Sequence, residues 1–200
     1  MELGNFVSLD LETTGLNPKE DTVIEIAAVR VQNGKPWSPV YYWRPDLCTP
    51  HTRDIKTGEI HLHFGPSNNP YDFLKEYCGD VSIIGYNINF DMRFLNPFLA
   101  QHSVVLDNPT YCVYKLAKKI LKLESYKLGN VAIHYGVALG HLARTEFGLI
   151  AEYTEGKHFA FSDAIALAEV FMSMRPELEK MGVHSFEDIG KLEQGRLRRI

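Results

Sequence analysis

Cysteine is scarce in this chain of 200 residues: Cys48, Cys78 and Cys112 are far apart and odd in number. That excludes a disulfide framework, offers no metal-ligand spacing and points to packing roles in a reducing compartment. A basic field is missing too. With 21 Lys and Arg against 25 Asp and Glu, a net charge of −4 and a pI of about 6.1, any nucleic-acid binding must be local. No apolar run approaches about 20 residues, and Met1-Glu2-Leu3-Gly4 enters the first strand pattern without a charged-then-apolar leader. The chain therefore reads as a soluble, cytoplasmic protein with no membrane partner. No internal repeat, low-complexity segment or linker divides it. Its 45% hydrophobic and 12% aromatic residues suffice for one domain with a sizeable core.

Apolar periodicity and turn residues place the elements. Phe6 to Thr13 is a strand, the turn Asn17 to Asp21 follows, and Val23 to Val31 reads as a second buried strand. Asn33-Gly34 signals a hairpin toward a third strand at Val40-Tyr41-Tyr42-Trp43, so three antiparallel strands open the fold. Residues 45–70 form a long irregular connection with room for one short helix. A helix from Pro70 to Tyr77, a short buried strand from Val81 to Gly85 and an apolar helix through Phe94, Leu95, Phe98 and Leu99 come next, with Pro97 kinking or restarting that helix. Val104-Val105-Leu106 reads as a last strand. Residues 112–123 form an amphipathic helix with Lys115, Lys118, Lys119 and Lys122 on one face, either a solvated surface or a meeting point for a phosphate backbone. A short helix ends near Gly136, and residues 137–157 carry no clear pattern. A strongly apolar helix from Phe161 to Met174 is expected to end at Pro176, and Ser185 with Asp188 caps a terminal helix toward Ile200.

The chemistry begins in the first strand, where Asp10 and Glu12 interrupt an apolar run. A buried carboxylate costs several kcal/mol unless a cation or donor compensates, so something positive belongs there. Side chains alternate at about 3.3 Å per residue, so both carboxylates face one side with Cα atoms roughly 7 Å apart and can converge on a metal ion. Taken alone, either could equally mark a strand end or cap the turn at Thr13-Thr14-Gly15. Asp91 follows the short strand, and His158 and Asp163 stand at the entrance to the long late helix. Singly, these are also readable as a helix cap, a loop histidine and a dipole partner.

In order, Asp-x-Glu, Asp and His-x4-Asp resemble the DEDDh, or DnaQ-like, 3′-5′ exonucleases, which include polymerase proofreading subunits and free-standing bacterial exonucleases. Asp10 to Leu16 is similar to the first family motif, Gly85-Tyr86-Asn87-Ile88-Asn89-Phe90-Asp91 to the second and His158 to Ala164 to the third. Tyr111 to Lys118 and Tyr126 to Asn130 are similar to further family segments. The family usually carries His where Tyr86 stands, Thr near Val113 and Arg where Phe159 stands. The resemblance implies a ribonuclease-H-like α/β fold, a mixed five-stranded sheet flanked by helices. It implies a DEDDh exonuclease domain over residues 1–176, with 177–200 a C-terminal helical tail packed on or extending from it. It further implies two Mg²⁺ or Mn²⁺ ions held by Asp10, Glu12, Asp91 and Asp163, Asp10 touching both, and His158 taking the proton from the attacking water. Thr13, Leu16 and Asn87 then lie along the substrate, Leu16 as a wedge against the terminal base.

The implied substrate is single-stranded DNA or the 3′ end of duplex DNA, with a DNA polymerase as partner. RNA is the alternative, because four carboxylates do not read a 2′-hydroxyl. A non-catalytic module that binds nucleic acid or a polymerase is the alternative of another class, and it would be expected to lose a carboxylate.

Overall fold

The computed structural model describes residues 2–36, 40–44, 51–53, 60–61, 69–137, 143–144, 150–151 and 159–196. Strand β1 (Phe6–Thr13) lies inside the sheet, between β2 (Val23–Gln32), antiparallel to it, and β7 (Ser82–Gly85), parallel to it. Beyond β2 comes antiparallel β4 (Val40–Trp43), and beyond β7 comes parallel β8 (Thr110–Cys112). These five strands make the mixed sheet that the resemblance implies, although the last of them lies at Thr110–Cys112 and not where the sequence pattern put it. Two further antiparallel strands, β5 (His51–Arg53) and β6 (Ile60–His61), extend the sheet past β4, so residues 51–53 and 60–61 of the 45–70 connection are strand, and the rest of it before Asn69 lies outside the described residues. The two-residue β3 (Lys35–Pro36) folds back on β2. Its hairpin turn, Asn33-Gly34, has φ values of 52° and 73°, positive at both positions, which is why Asn-Gly fits there.

Alternation in β1 sorts its side chains onto two cores. Val7, Leu9 and Leu11 pack with Leu74, Tyr77, Leu95 and Leu99 from α1 (Pro70–Cys78) and α2 (Ile88–Ala100). Phe6 faces the other layer, built on α5 (Ala160–Lys180) with α3 (Val113–Ile120) and α4 (Leu128–His134). Phe6 meets Phe171 of α5 edge to face at 5.0 Å, and Phe186 of α6 (Phe186–Glu193) stacks on Phe171 at 5.6 Å. As its sequence indicated, α6 is capped, with the Ser185 hydroxyl accepting from the Asp188 N–H.

Four expectations are corrected. Pro176 does not end α5, which runs to Lys180 because Met174 and Leu178, on either side of the proline, are fully buried and hold the helix in place. Val104 to Leu106 is not a strand. Val104 and Leu106 are buried and Val105 is exposed, which imitates strand alternation, but the place beside β7 belongs to β8. The lysine helix ends at Ile120, leaving Lys122 outside it, because the Leu121 carbonyl accepts the Tyr126 hydroxyl instead of continuing the helix. Finally, α6 stops at Glu193, short of the end of the chain. Of residues 137–157, β9 (Ala143–Arg144) and β10 (Ile150–Ala151) form a short antiparallel ladder.

Candidate active site

Because residues two apart share a strand face, Phe6, Ser8, Asp10 and Glu12 all point toward α5. The Ser8 hydroxyl donates to the Ala164 carbonyl at 2.7 Å, a buried bond that clamps the first turn of α5 onto β1. Asp163, next to Ala164, is thereby brought to the carboxylates of the strand. Oxygen atoms of Asp10, Glu12 and Asp163 lie within 4.8 Å of one another. The register of β1 against β2 shifts between Glu12 and Thr13, a bulge where the strand delivers its second carboxylate. Asp91, in the first turn of α2, is 5% exposed.

The electrostatics follow from this convergence. Burial, then the charges of Asp91, Asp163, Glu12 and Glu25, hold the Asp10 carboxyl well above the usual carboxylate range. Burial pushes Asp91 up to about 7, with Glu12 adding to the rise and backbone hydrogen bonds at Asp91 and Leu11 opposing it. Such a cluster favours protons or cations in its midst. The ligands are oxygen only, which suits hard divalent ions such as Mg²⁺ or Mn²⁺, so the donor set fits a metal centre.

Two residues that the sequence did not single out support the cluster. One is Ser8, whose only signal was a polar side chain on the carboxylate face of an apolar strand. The other is Glu25, directly across the register from Glu12 and 5% exposed. Its carboxylate accepts the Ala160 N–H at 3.3 Å at the start of α5 and lies 3.7 Å from the Arg44 guanidinium. Burial, then the Glu25 charge, pushes the neighbouring Tyr42 hydroxyl up to about 12. Within its strand Glu25 alternates like any outward polar residue, so nothing in the sequence marked it.

A cleft of about 960 Å³ opens beside Asp10 and Asp163, walled by Tyr86, Asn87, Tyr114 and the segment Ser125 to Asn130. The Tyr86 hydroxyl donates to the Tyr126 carbonyl and so ties the two walls together. Asn87 lines the cleft with φ of 90°, the left-handed conformation that turns β7 into α2. Leu16 is 80% exposed at the tip of the turn after β1. Asp21 closes that turn by accepting from the Asn17 N–H at 2.9 Å and the Thr14 hydroxyl at 3.1 Å. A Cβ at Gly15 would come within 2.5 Å of the Asp21 carboxylate, so a side chain there would push aside the group that closes the turn. The Thr13 hydroxyl is engaged locally, donating to the Gly15 carbonyl at 2.6 Å. His158 lies outside the described residues. Among the described residues no helix is long and apolar enough to cross a membrane.

With this geometry in view, the Exonuclease family model of the RNase T type matches residues 7–171. The chain is 29% identical over 202 residues to DNA polymerase III subunit epsilon of Aquifex aeolicus, covering 96% of this chain and 92% of that protein. It is 30% identical over 193 residues to the PolC-type DNA polymerase III of Thermotoga maritima, covering 94% of this chain but 13% of that protein. Among solved structures, Exonuclease X in complex with 5′ overhanging duplex DNA shares the fold with a TM-score of 0.53 at 16% identity, covering 94% of this chain and 99% of that one.

Proposed function

This chain belongs to the exonuclease family and is a 3′-5′ exonuclease, and from that premise we propose that it hydrolyses phosphodiester bonds at DNA 3′ ends, releases nucleoside 5′-monophosphates, and binds two Mg²⁺ or Mn²⁺ ions through Asp10, Glu12, Asp91 and Asp163. The observation that carries this reading is the convergence of Asp10, Glu12 and Asp163 within 4.8 Å beside an open cleft. When bound, such ions neutralise the carboxylates and polarise the scissile phosphate. Asp10, which the charges of Asp91, Asp163 and Glu12 all reach, would serve both ions, with Glu12 and Asp163 completing one site and Asp91 the other.

His158, five residues before Asp163 in the chain, accepts the proton of the attacking water. The water oxygen bonds to the terminal phosphorus, and the bond from that phosphorus to the 3′ oxygen of the preceding nucleotide breaks. Leu16, exposed at its turn, wedges against the terminal base, and Thr13 and Asn87 flank the strand. The likeness to two DNA polymerase III proteins supports a polymerase as partner.

The test uses 5′-labelled DNA and RNA oligonucleotides with Mg²⁺, with Mn²⁺ and with EDTA. Shortening from the 3′ end, release of 5′-monophosphates, faster cleavage of DNA and silence in EDTA are expected. Faster cleavage of RNA would move the substrate to that polymer. No shortening of either polymer with either metal would remove the enzyme and leave a binding module.

A further inference from the structure

The stretch from Val113 to Asn130 holds five lysines, Lys115, Lys118, Lys119, Lys122 and Lys127, against one acid, Glu124, so it carries a net charge of +4 in a chain of −4. Packing sets their direction. Val113, Leu116 and Ala117 are buried in the core beneath α3, which turns Lys115, Lys118 and Lys119 outward, and Lys122 is exposed just past the helix end. Among the described residues no carboxylate pairs with any of these four.

The lysines are continuous with the cleft. Tyr114, one turn before Lys118 on α3, lines the cleft together with Asp10, and the Lys118 ammonium lies 5.4 Å from the Tyr114 ring centroid. Tyr86 meets Tyr114 edge to face at 5.8 Å, and Lys127 stands on the cleft wall. Half-buried aromatic rings leading into a row of exposed cations is the arrangement that holds single-stranded nucleic acid, because bases stack on rings while phosphates meet ammonium groups.

We propose that the outer face of α3 is a track for the single DNA strand behind its 3′ terminus. The strand leaves the carboxylate cluster over Tyr86 and Tyr114, and its backbone then runs along Lys118, Lys115, Lys119 and Lys122. The identity of the ligand rests on the function proposed above, while the track itself is a binding surface and needs no cleavage. It makes the protein favour long strands over short ones, since a trinucleotide ends before it reaches the outer lysines.

The test is fluorescence anisotropy in EDTA, where metal-assisted cleavage does not consume the probe, with a labelled thymidine 20-mer and a trinucleotide. The variant carries Lys115→Gln, Lys119→Gln and Lys122→Gln, and a second replaces the same three with Arg. Each single-strand phosphate contact contributes about 0.7 to the slope of log affinity against log salt. The Gln variant is therefore expected to lose about 2 from that slope for the 20-mer and to bind it at least about tenfold more weakly at low salt. The Arg variant should keep the slope, and the trinucleotide should show no comparable drop. An unchanged 20-mer slope in the Gln variant, or an equal drop for both probes, overturns the track. A protein that binds in this way but never cleaves DNA would lose the proposed function and keep the track.

Discussion

Asp10 sits where burial and four neighbouring carboxylates all disfavour its charge. Replacing it with Asn removes one member of a repelling group while keeping its shape. Asp10→Asn is therefore expected to lower nucleotide release by about 10³-fold, the scale of a lost electrostatic contact to the reacting centre. In EDTA the same variant should melt at or above the unaltered protein, and a large fall in its melting temperature would make Asp10 a structural residue. The raised carboxyls also set a pH dependence. Asp91 titrates near about 3.9 when unfolded and about 7 in the folded, metal-free protein. Between those values the folded state holds more protons, so metal-free stability falls as pH rises through that window. Melting in EDTA should occur several degrees higher near pH 5 than near pH 8, and Mn²⁺ should flatten that difference by standing in for the protons. Part of this site was legible in the sequence, because strand alternation puts Asp10 and Glu12 on one face and Asp91 follows the short strand in the first turn of α2. Ser8 and Glu25 were not, since each passes for an ordinary strand residue until α5 is laid over it.

At the level of elements, α5 decides how well the carboxylates meet. Two hydrogen bonds tie the start of α5 to the sheet beside the cluster: the Ser8 bond to the Ala164 carbonyl and the Glu25 bond from the Ala160 N–H. Ser8→Ala should cost about 1 kcal/mol of stability, the usual worth of a buried hydrogen bond. Because it also frees Asp163 to drift, the Mn²⁺ concentration for half-maximal nucleotide release should rise about 10- to 100-fold, as for other outer-shell supports of metal ligands. A stability loss with an unchanged Mn²⁺ requirement would limit Ser8 to packing. The elements themselves were readable wherever period and punctuation agree, as at the Asn33-Gly34 hairpin and the Ser185 cap. They were misread where tertiary packing overrides a local rule. Pro176 would stop an isolated helix, but buried neighbours on both sides carry α5 past it. Val104 to Leu106 alternates like a strand, but the place beside β7 is taken by β8.

Across the whole molecule, the C-terminal segment closes the core on the α5 side. Phe186 is 1% exposed against Phe6 and Phe171, and Glu2 bridges to Ser185, so the segment leading into α6 meets the first described residue there. We therefore propose that the tail belongs to the exonuclease domain. Phe186→Ala should cost about 3–5 kcal/mol, read as a drop in the denaturation midpoint at constant slope. A cost below about 1 kcal/mol would make the tail an appendage. Charge is divided with equal clarity, an anionic cluster at one end of the cleft and a cationic helix beside it. The proposed reaction requires cations to complete the cluster. The direct measurement is calorimetric titration of Mn²⁺ into metal-free protein near pH 6.5, run in two buffers of different ionisation enthalpy so that proton release is counted. Two ions per chain, a net release of protons as they displace those on Asp10 and Asp91, and loss of both signals in Asp10→Asn are predicted. Absence of binding, or binding unchanged by Asp10→Asn, would contradict the metal centre on which the proposed reaction depends.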